Sequence, residues 1–297
     1  MDIFAAVTDR IIEQLESGII PWQKPWTGIR SGAVSHDKGR PYSLINQMLL
    51  GKPGEYLTFR QCQKEGGKVK KGSKAKIVVF WKILKKDKTN ADGSIVRDEN
   101  GMPVPESVPM LRYYQVFHID DCEGISPKYA KDEEKLNPIS PIDAAESALS
   151  DYVRRTGVGF ENLKQDRAYY SPTRDIISLP LMEQFGDAES YYDTAFHEAV
   201  HSTGHKSRLN RFEENAMAAA FGSESYSKEE LVAEIGACGI MHELGLETKK
   251  TFTNNAAYIQ SWLRALQNDK RMIVSAASRA EKAIYLILNI QKKTTEE

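Results

Sequence analysis

Over the first 17 residues, Ile3, Val7, Ile11 and Leu15 recur at helical spacing with polar and charged residues between them, and Gly18 closes the stretch. This pattern predicts an amphipathic helix. Two prolines within residues 19–26 (IIPWQKPW) forbid its continuation. A short helix is expected over residues 42–50, and β-branched and aromatic runs predict strands at 56–59, 76–84 and 113–119. The polar segment 85–109, punctuated by Gly and Pro, reads as a long hairpin loop. Residues 126–142 (SPKYAKDEEKLNPISPI) are charged and proline-bearing, the pattern of a linker. Beyond them the pattern predicts a helix at 142–155 and a hairpin of strands 168–171 and 176–179 turning at 173–175. Helices are then expected through 194–203, at 228–244 and, as one long element, at 258–289. The expected class is α+β: an α+β unit over 1–125, a linker over 126–142, and a mostly helical unit with a small sheet over 143–297.

The chain has 297 residues, 41% hydrophobic and 27% charged, with a formal net charge of -1, which excludes a disordered chain or a fibre. The near-zero charge hides a gradient. Residues 1–90 hold 17 Lys/Arg against 8 Asp/Glu, and the remainder holds 23 against 33. One part of the chain is therefore suited to anionic partners and the other is not. Three widely separated cysteines, Cys62, Cys122 and Cys238, with no CxxC, exclude a disulfide scaffold or a cysteine zinc ribbon and fit a reducing compartment. The N-terminus lacks the basic start and apolar core of a signal peptide, and no apolar run approaches the ~20 residues needed to cross a bilayer. A cytoplasmic protein with no membrane partner is expected.

The sharpest motif is His197-Glu198-Ala199-Val200-His201. On a helix, residues i and i+4 share a face, so both imidazoles can reach one ion while Glu198 reaches a water beside it. A catalytic Zn²⁺ needs one more protein ligand and an open position. Gly204 stands where a longer HxxGxxH signature requires it, but Ser207 occupies the place of its last histidine, and His205 shares the helix face only if the helix runs on through Gly204. A better source of the third ligand is the segment Glu229-Glu230-Leu231-Val232-Ala233-Glu234, which follows a candidate N-cap, Ser227. Glu230 and Glu234 share a face, so one can ligate while the other steadies a histidine; Glu229 replaces Glu230 if the helix is turned by one residue. The expected cofactor is Zn²⁺, although two His and a Glu also suit Mn²⁺ or another divalent ion. HExxH followed by EExxAE resembles the gluzincin-type metallopeptidases. That resemblance implies a downstream Glu as third ligand, Glu198 as general base, and strand 176–179 as the edge along which substrate is laid. It also offers Tyr226 as a donor to the oxyanion.

The basic part reads YLTFRQCQKEGGKVKKGSKAKIVVFWK over residues 56–82. Lys68, Lys70, Lys71, Lys74 and Lys76 surround glycines, and Phe59, Phe80 and Trp81 are interleaved. Charge neutralisation combined with flat rings is the chemistry of sequence-tolerant binding to single-stranded DNA. The same reasoning covers Trp22, Lys24 and Trp26, and Arg40 with Tyr42. A solvated lysine loop beside a core strand would carry the same composition. In order and spacing, IIEQLESGIIPWQKPW, GRPYSLINQMLL, the 56–82 segment and YYQVFHIDDCEGI resemble the N-terminal domain of ArdC-type antirestriction proteins. HEAVHSTGHKSRL and YSKEELVAEIGA resemble the metallopeptidase domain of the same family. The resemblance implies non-specific single-stranded-DNA binding by a domain shared with TraC plasmid primases. It further implies a zincin-like peptidase domain with an as yet unspecified protein substrate, and protection of DNA entering with a conjugative plasmid. With no primase-like portion after residue 297, a primase is not the expected reading.

Overall fold

The computed structural model describes residues 2–23, 32–129, 141–212, 224–246 and 255–291, without the side chains of residues 141, 224–227 and 255–261. The first helix, α1 (Ile3–Glu16), starts on Asp2, whose carboxylate accepts the N–H groups of Phe4 (3.0 Å) and Ala5 (3.2 Å). Its apolar stripe, Val7, Ile11, Ile12 and Leu15, is buried. A 3-10 turn, Pro21–Gln23, follows. Strand β1 (Ala33–Ser35), the wholly buried helix α2 (Leu44–Leu50), β2 (Gly54–Leu57) and α3 (Phe59–Lys64) come next, then the short β3 (Lys68–Val69). Thr58 and Gln61 cap α3 reciprocally, which turns the chain away from the strand expected to run through Phe59.

Strands β4 (Lys76–Asp87) and β5 (Pro105–His118) form one long antiparallel hairpin, from Lys76 opposite Val116 to Asp87 opposite Pro105. They complete a sheet of order β1-β2-β5-β4, and the two-residue β6 (Cys122–Glu123) pairs with β3. The loop expected over 85–109 is the hairpin connection over residues 88–104, and only its two ends, residues 85–87 and 105–109, are strand. The prolines at 105 and 109 hid the outer end of β5. β2 covers β5 only at Phe117 and His118, so the outer part of β5 has a single neighbour and a missing proline N–H can face the open side. The outer edge of β4 is closed locally by α2: Asn46 donates to the Val79 carbonyl and accepts the Val79 N–H, each at 2.8 Å.

The second half opens with α4 (Pro141–Thr156), then β7 (Gly159–Leu163), β8 (Tyr169–Ser171) and β9 (Ile176–Pro180). Residues 130–140, the centre of the expected linker, lie outside the described residues. Strands β8 and β9 make the expected hairpin, but β7 adds in parallel on the far side, giving the order β7-β9-β8. β9 is therefore the central strand and not an edge, which removes it as a surface for strand addition. Glu161 and Asn162 broke the apolar pattern that would have revealed β7. The helices are α5 (Ala188–Thr203), α6 (Glu224–Glu243), α7 (Asn255–Asn268) and α8 (Met272–Ile287). The single C-terminal helix expected from periodicity is two, because the Asp269 carboxylate accepts the Arg271 N–H at 2.9 Å in a local turn that competes with helix.

One continuous apolar core runs through both halves, from Ile11 and Leu15 of α1 to Ile235 of α6 and Ile284 of α8. α1 is pinned to the α7–α8 turn by Thr8 Oγ1 donating to the Lys270 carbonyl at 2.6 Å. All three cysteines are free and buried. Among the described residues no helix is long and apolar enough to cross a membrane.

Candidate metal centre and nucleic-acid face

Helix α5 begins on Asp187, which accepts the Ser190 N–H at 2.8 Å, and carries His197 and His201 one turn apart. α6 crosses it at Gly236. A Cβ there would lie 2.8 Å from Val200 Cγ2, so the absence of a side chain is what lets the two helices approach. That crossing brings Glu230 over both imidazoles. Its carboxylate oxygens stand 3.5 Å from His197 Nε2 and 3.4 Å from His201 Nε2, and the two nitrogens are 3.1 Å apart. One ligand atom from each of His197, His201 and Glu230 fits within 4.8 Å of the others. Two imidazole nitrogens and a carboxylate oxygen converging on one point are a donor set that fits a divalent cation.

The nitrogens behind are also held. Glu229 Oε1 lies 3.5 Å from His201 Nδ1, and Glu234 Oε1 lies 3.7 Å from His197 Nδ1. This arrangement directs Nε2 of each ring toward the shared point. Of the two carboxylates expected as alternatives, Glu230 faces that point and Glu229 lies behind it. Glu229 is gripped by Arg211 through Nη2 (2.6 Å) and Nε (3.3 Å), and Arg211 also donates to Thr203 Oγ1 (2.6 Å) and the Val200 carbonyl (2.9 Å).

Burial alone would raise the Glu230 carboxyl, but hydrogen bonds and charge from His197 and His201 outweigh it and hold Glu230 well below the usual range. Glu229 is lowered in the same way, by His201 and then Arg211. Glu234 is the opposite case: burial pushes it up to about 7. Both histidines are raised, because the carboxylates around them overcome the burial that would lower them. Such a pocket of negative potential favours a cation. Glu198 is buried on α5 beside this pair. Tyr226 lies in the first turn of α6, and its side chain is outside the description; Ser227 is inside that helix and is not its cap. His205 stays apart, with Nδ1 2.8 Å from Ser207 Oγ and 3.8 Å from Asp175 Oδ2.

Two arginines after the motif escaped the sequence reading. Arg208 forks onto Asp175 in the β8–β9 turn and donates Nε–H to the Ser202 carbonyl at 2.8 Å, tying α5 to the small sheet. Arg211 does the equivalent toward α6. Their partners lie 33 and 18 residues away, and no local spacing announces them.

In the first half, Arg40, Lys68, Lys70, Lys71 and Lys74 are exposed, with Lys70 Nζ donating to the Asp120 carbonyl at 2.7 Å. Lys76 is half-buried, and burial together with nearby Arg10 lowers its pKa. Trp81 is 49% exposed, 6.2 Å from the Phe4 ring. Two expected stacking residues are core residues instead. Trp22 is 1% exposed and meets Trp262 edge-on at 5.2 Å; Tyr42 is buried edge-on against Tyr56, where burial raises its phenol. A ring closed in on all sides has no face left for a base. Lys24 and Trp26 lie outside the described residues. Phe80, Tyr113 and Tyr114 are exposed on the β4–β5 hairpin, and the pairing register that puts Tyr114 beside Phe80 was invisible before the hairpin was known.

A helix bearing HExxH, packed against a helix bearing the third acidic group and beside a small sheet, defines a zincin-like metallopeptidase domain, and residues 147–279 match the family model of zincin-like metallopeptidases. Residues 1–117 match the N-terminal domain of anti-restriction factor ArdC. The chain belongs to the ArdC family of antirestriction proteins. It is 35% identical to the antirestriction ArdC protein from the R388 plasmid, covering 97% of this chain and 98% of that one with a TM-score of 0.71 for the Mn(II)-bound crystal structure. For the metal-free structure the TM-score is 0.72, with 98% and 100% covered. Two DNA primases TraC of Escherichia coli are each 36% identical over 98% of this chain, which spans only 20% and 27% of their lengths. Protein y4eC of Sinorhizobium fredii is 30% identical over 94% of this chain and 89% of its own length.

Proposed function

We propose that the protein binds single-stranded DNA without sequence preference and carries a divalent-metal-dependent peptidase, and that together these protect plasmid DNA from restriction on entry. The observation that carries the peptidase is the meeting of His197, His201 and Glu230 from two helices, with Glu229 and Glu234 behind the imidazoles. When bound there, a divalent ion would act as a Lewis acid on a carbonyl oxygen and lower the pKa of a nearby water. His197, His201 and Glu230 would hold it; the Mn(II) of the R388 relative and the donor set support a divalent ion without distinguishing Mn²⁺ from Zn²⁺. Glu198 accepts the proton of the attacking water and returns it to the leaving amine. Tyr226 is proposed as a donor to the developing oxyanion.

The exposed lysines at 68, 70, 71 and 74, with Arg40 and Trp81, support the DNA reading, as do the ArdC-type N-terminal domain and the TraC relatives. A completed ligand set with a buried Glu198 favours a working site over a vestigial one.

Glu198→Ala is expected to abolish proteolysis of an unfolded protein while leaving affinity for an oligothymidylate unchanged. Loss of both would refute the separation of roles. Affinity should also fall steeply with salt, with a log–log slope of about -0.7 per phosphate contacted. In a plasmid transfer into a restricting recipient, protection retained by Glu198→Ala would assign it to DNA shielding, and protection lost would assign it to proteolysis of a DNA-associated protein.

A further inference from the structure

Between the first sheet and the last helix lies a cleft of ≈ 920 Å³. It is lined by Phe80, Trp81 and Tyr114 of the β4–β5 hairpin, by Arg40 at the approach to α2, and by Lys282 and Tyr285 of α8. Phe80 and Tyr114 are 42% and 38% exposed on one face of the hairpin, and Trp81, 49% exposed, points to the opposite face beside Phe4. Apolar surface gathered this way marks a binding surface. The register adds charge to it. Tyr114 opposes Val78, Arg112 opposes Phe80 and Met110 opposes Lys82, so one sheet face presents Tyr114, Phe80, Arg112 and Lys82 together. The Phe80 and Tyr114 rings are 5.7 Å apart. Lys282, which lines the same cleft, is exposed. The acid within it, Glu281, accepts the Leu44 N–H at 3.3 Å at the start of α2, and Arg155 is spent on Asp151 and the carbonyls of Leu286 and Ile287.

We propose that this cleft is a path for single-stranded DNA shared by both halves of the chain, with bases stacking on Phe80 and Tyr114 and phosphates neutralised by Arg40 and by Lys282 of α8. The proposal rests on the single-stranded-DNA reading given above and adds a second wall to it. Lys282 and Tyr285 lie outside both matched stretches, 1–117 and 147–279. Rings flanked by cations are what sequence-tolerant stacking requires, and rings set inside a cleft are reached by unpaired bases and not by a duplex. A consequence is that DNA would touch the same α8 that packs on α6, the helix carrying Glu230.

The test uses the full chain and a fluorescent oligothymidylate, read by anisotropy across a salt series, for wild type, Phe80→Ala, Lys282→Glu and, as a probe of the lysine loop, Lys71→Ala. Thermal melts check that each variant is folded. Phe80→Ala should weaken binding by about 5- to 100-fold, the loss of one base stack. Lys282→Glu should weaken it about 5-fold or more and reduce the magnitude of the salt slope by about 0.7, the share of one phosphate contact. Unchanged affinity and slope in both cleft variants, with Lys71→Ala weakened, would overturn the cleft and leave the DNA reading standing. Failure of the wild type to bind the oligonucleotide would remove that reading and the cleft with it. If both cleft variants keep the oligonucleotide but lose binding to unfolded casein, the cleft serves a polypeptide and the proposal is wrong.

Discussion

His201 is steadied from behind by Glu229, and Glu229 in turn by the Arg211 fork. Removing the guanidinium leaves a buried carboxylate with one partner fewer and frees the ring to rotate. Arg211→Ala is therefore expected to lower affinity for Mn²⁺ or Zn²⁺ about 10- to 100-fold, measurable by calorimetric titration of the folded variant. Asp175 gives a pH signature. Burial would raise its carboxyl, but Arg208 and Tyr170 bind the ionised form and lower it. A lowered folded pKa means the stabilisation is complete above the unfolded value, near 3.9, and is lost as pH falls through the folded one. Asp175→Asn keeps a side chain suited to the left-handed backbone at φ 51° while removing the charge and one of the two oxygens that the Arg208 fork uses. It should cost about 2 kcal/mol at neutral pH, and the gap in melting temperature to wild type should close below about pH 4. At this scale the motif histidines and Glu198 were legible because helical period fixes their mutual placement. The choice between Glu229 and Glu230 was not, since it depends on how α6 is rotated against α5.

That rotation is set between elements, at the contact of Gly236 with Val200. Gly236→Ala is expected to cost about 1–3 kcal/mol by overpacking and to weaken divalent binding as Glu230 is lifted from the imidazoles. Val200→Ala in the same chain should restore part of both, which a plain loss of stability would not. Local pattern located α1, α5 and the β8–β9 hairpin because their apolar spacing is set within each segment. It missed β7, whose pairing with β9 is decided across the sheet, and it ran α7 and α8 together because their apolar period continues through the Asp269 turn. It also mistook the outer part of β5 for loop, since prolines that forbid a central strand are harmless where only one neighbour exists.

At the scale of the whole molecule, the apolar core does not respect the boundary that composition and charge imply. Trp22 belongs to the basic half and Trp262 to the acidic one, yet they share an edge-to-face contact at 5.2 Å. Trp22→Ala should destabilise by about 3–5 kcal/mol. Calorimetry should show one unfolding transition for both halves, shifted as a unit; two separable transitions would contradict the shared core. Aromatic residues met in a basic stretch looked like stacking platforms, and for Trp22 and Tyr42 it was burial by distant segments that decided otherwise.

The docking of α1 on the α7–α8 turn also imposes an order on synthesis. The first helix leaves the ribosome long before α7 and α8 exist, so its Ile11–Leu15 stripe, which α2 and β5 reach earlier, is not fully covered until those two helices have been made. Neither half can then finish burying its apolar surface alone, and a nascent chain stalled before α7 and α8 would present the uncovered part of that stripe to chaperones.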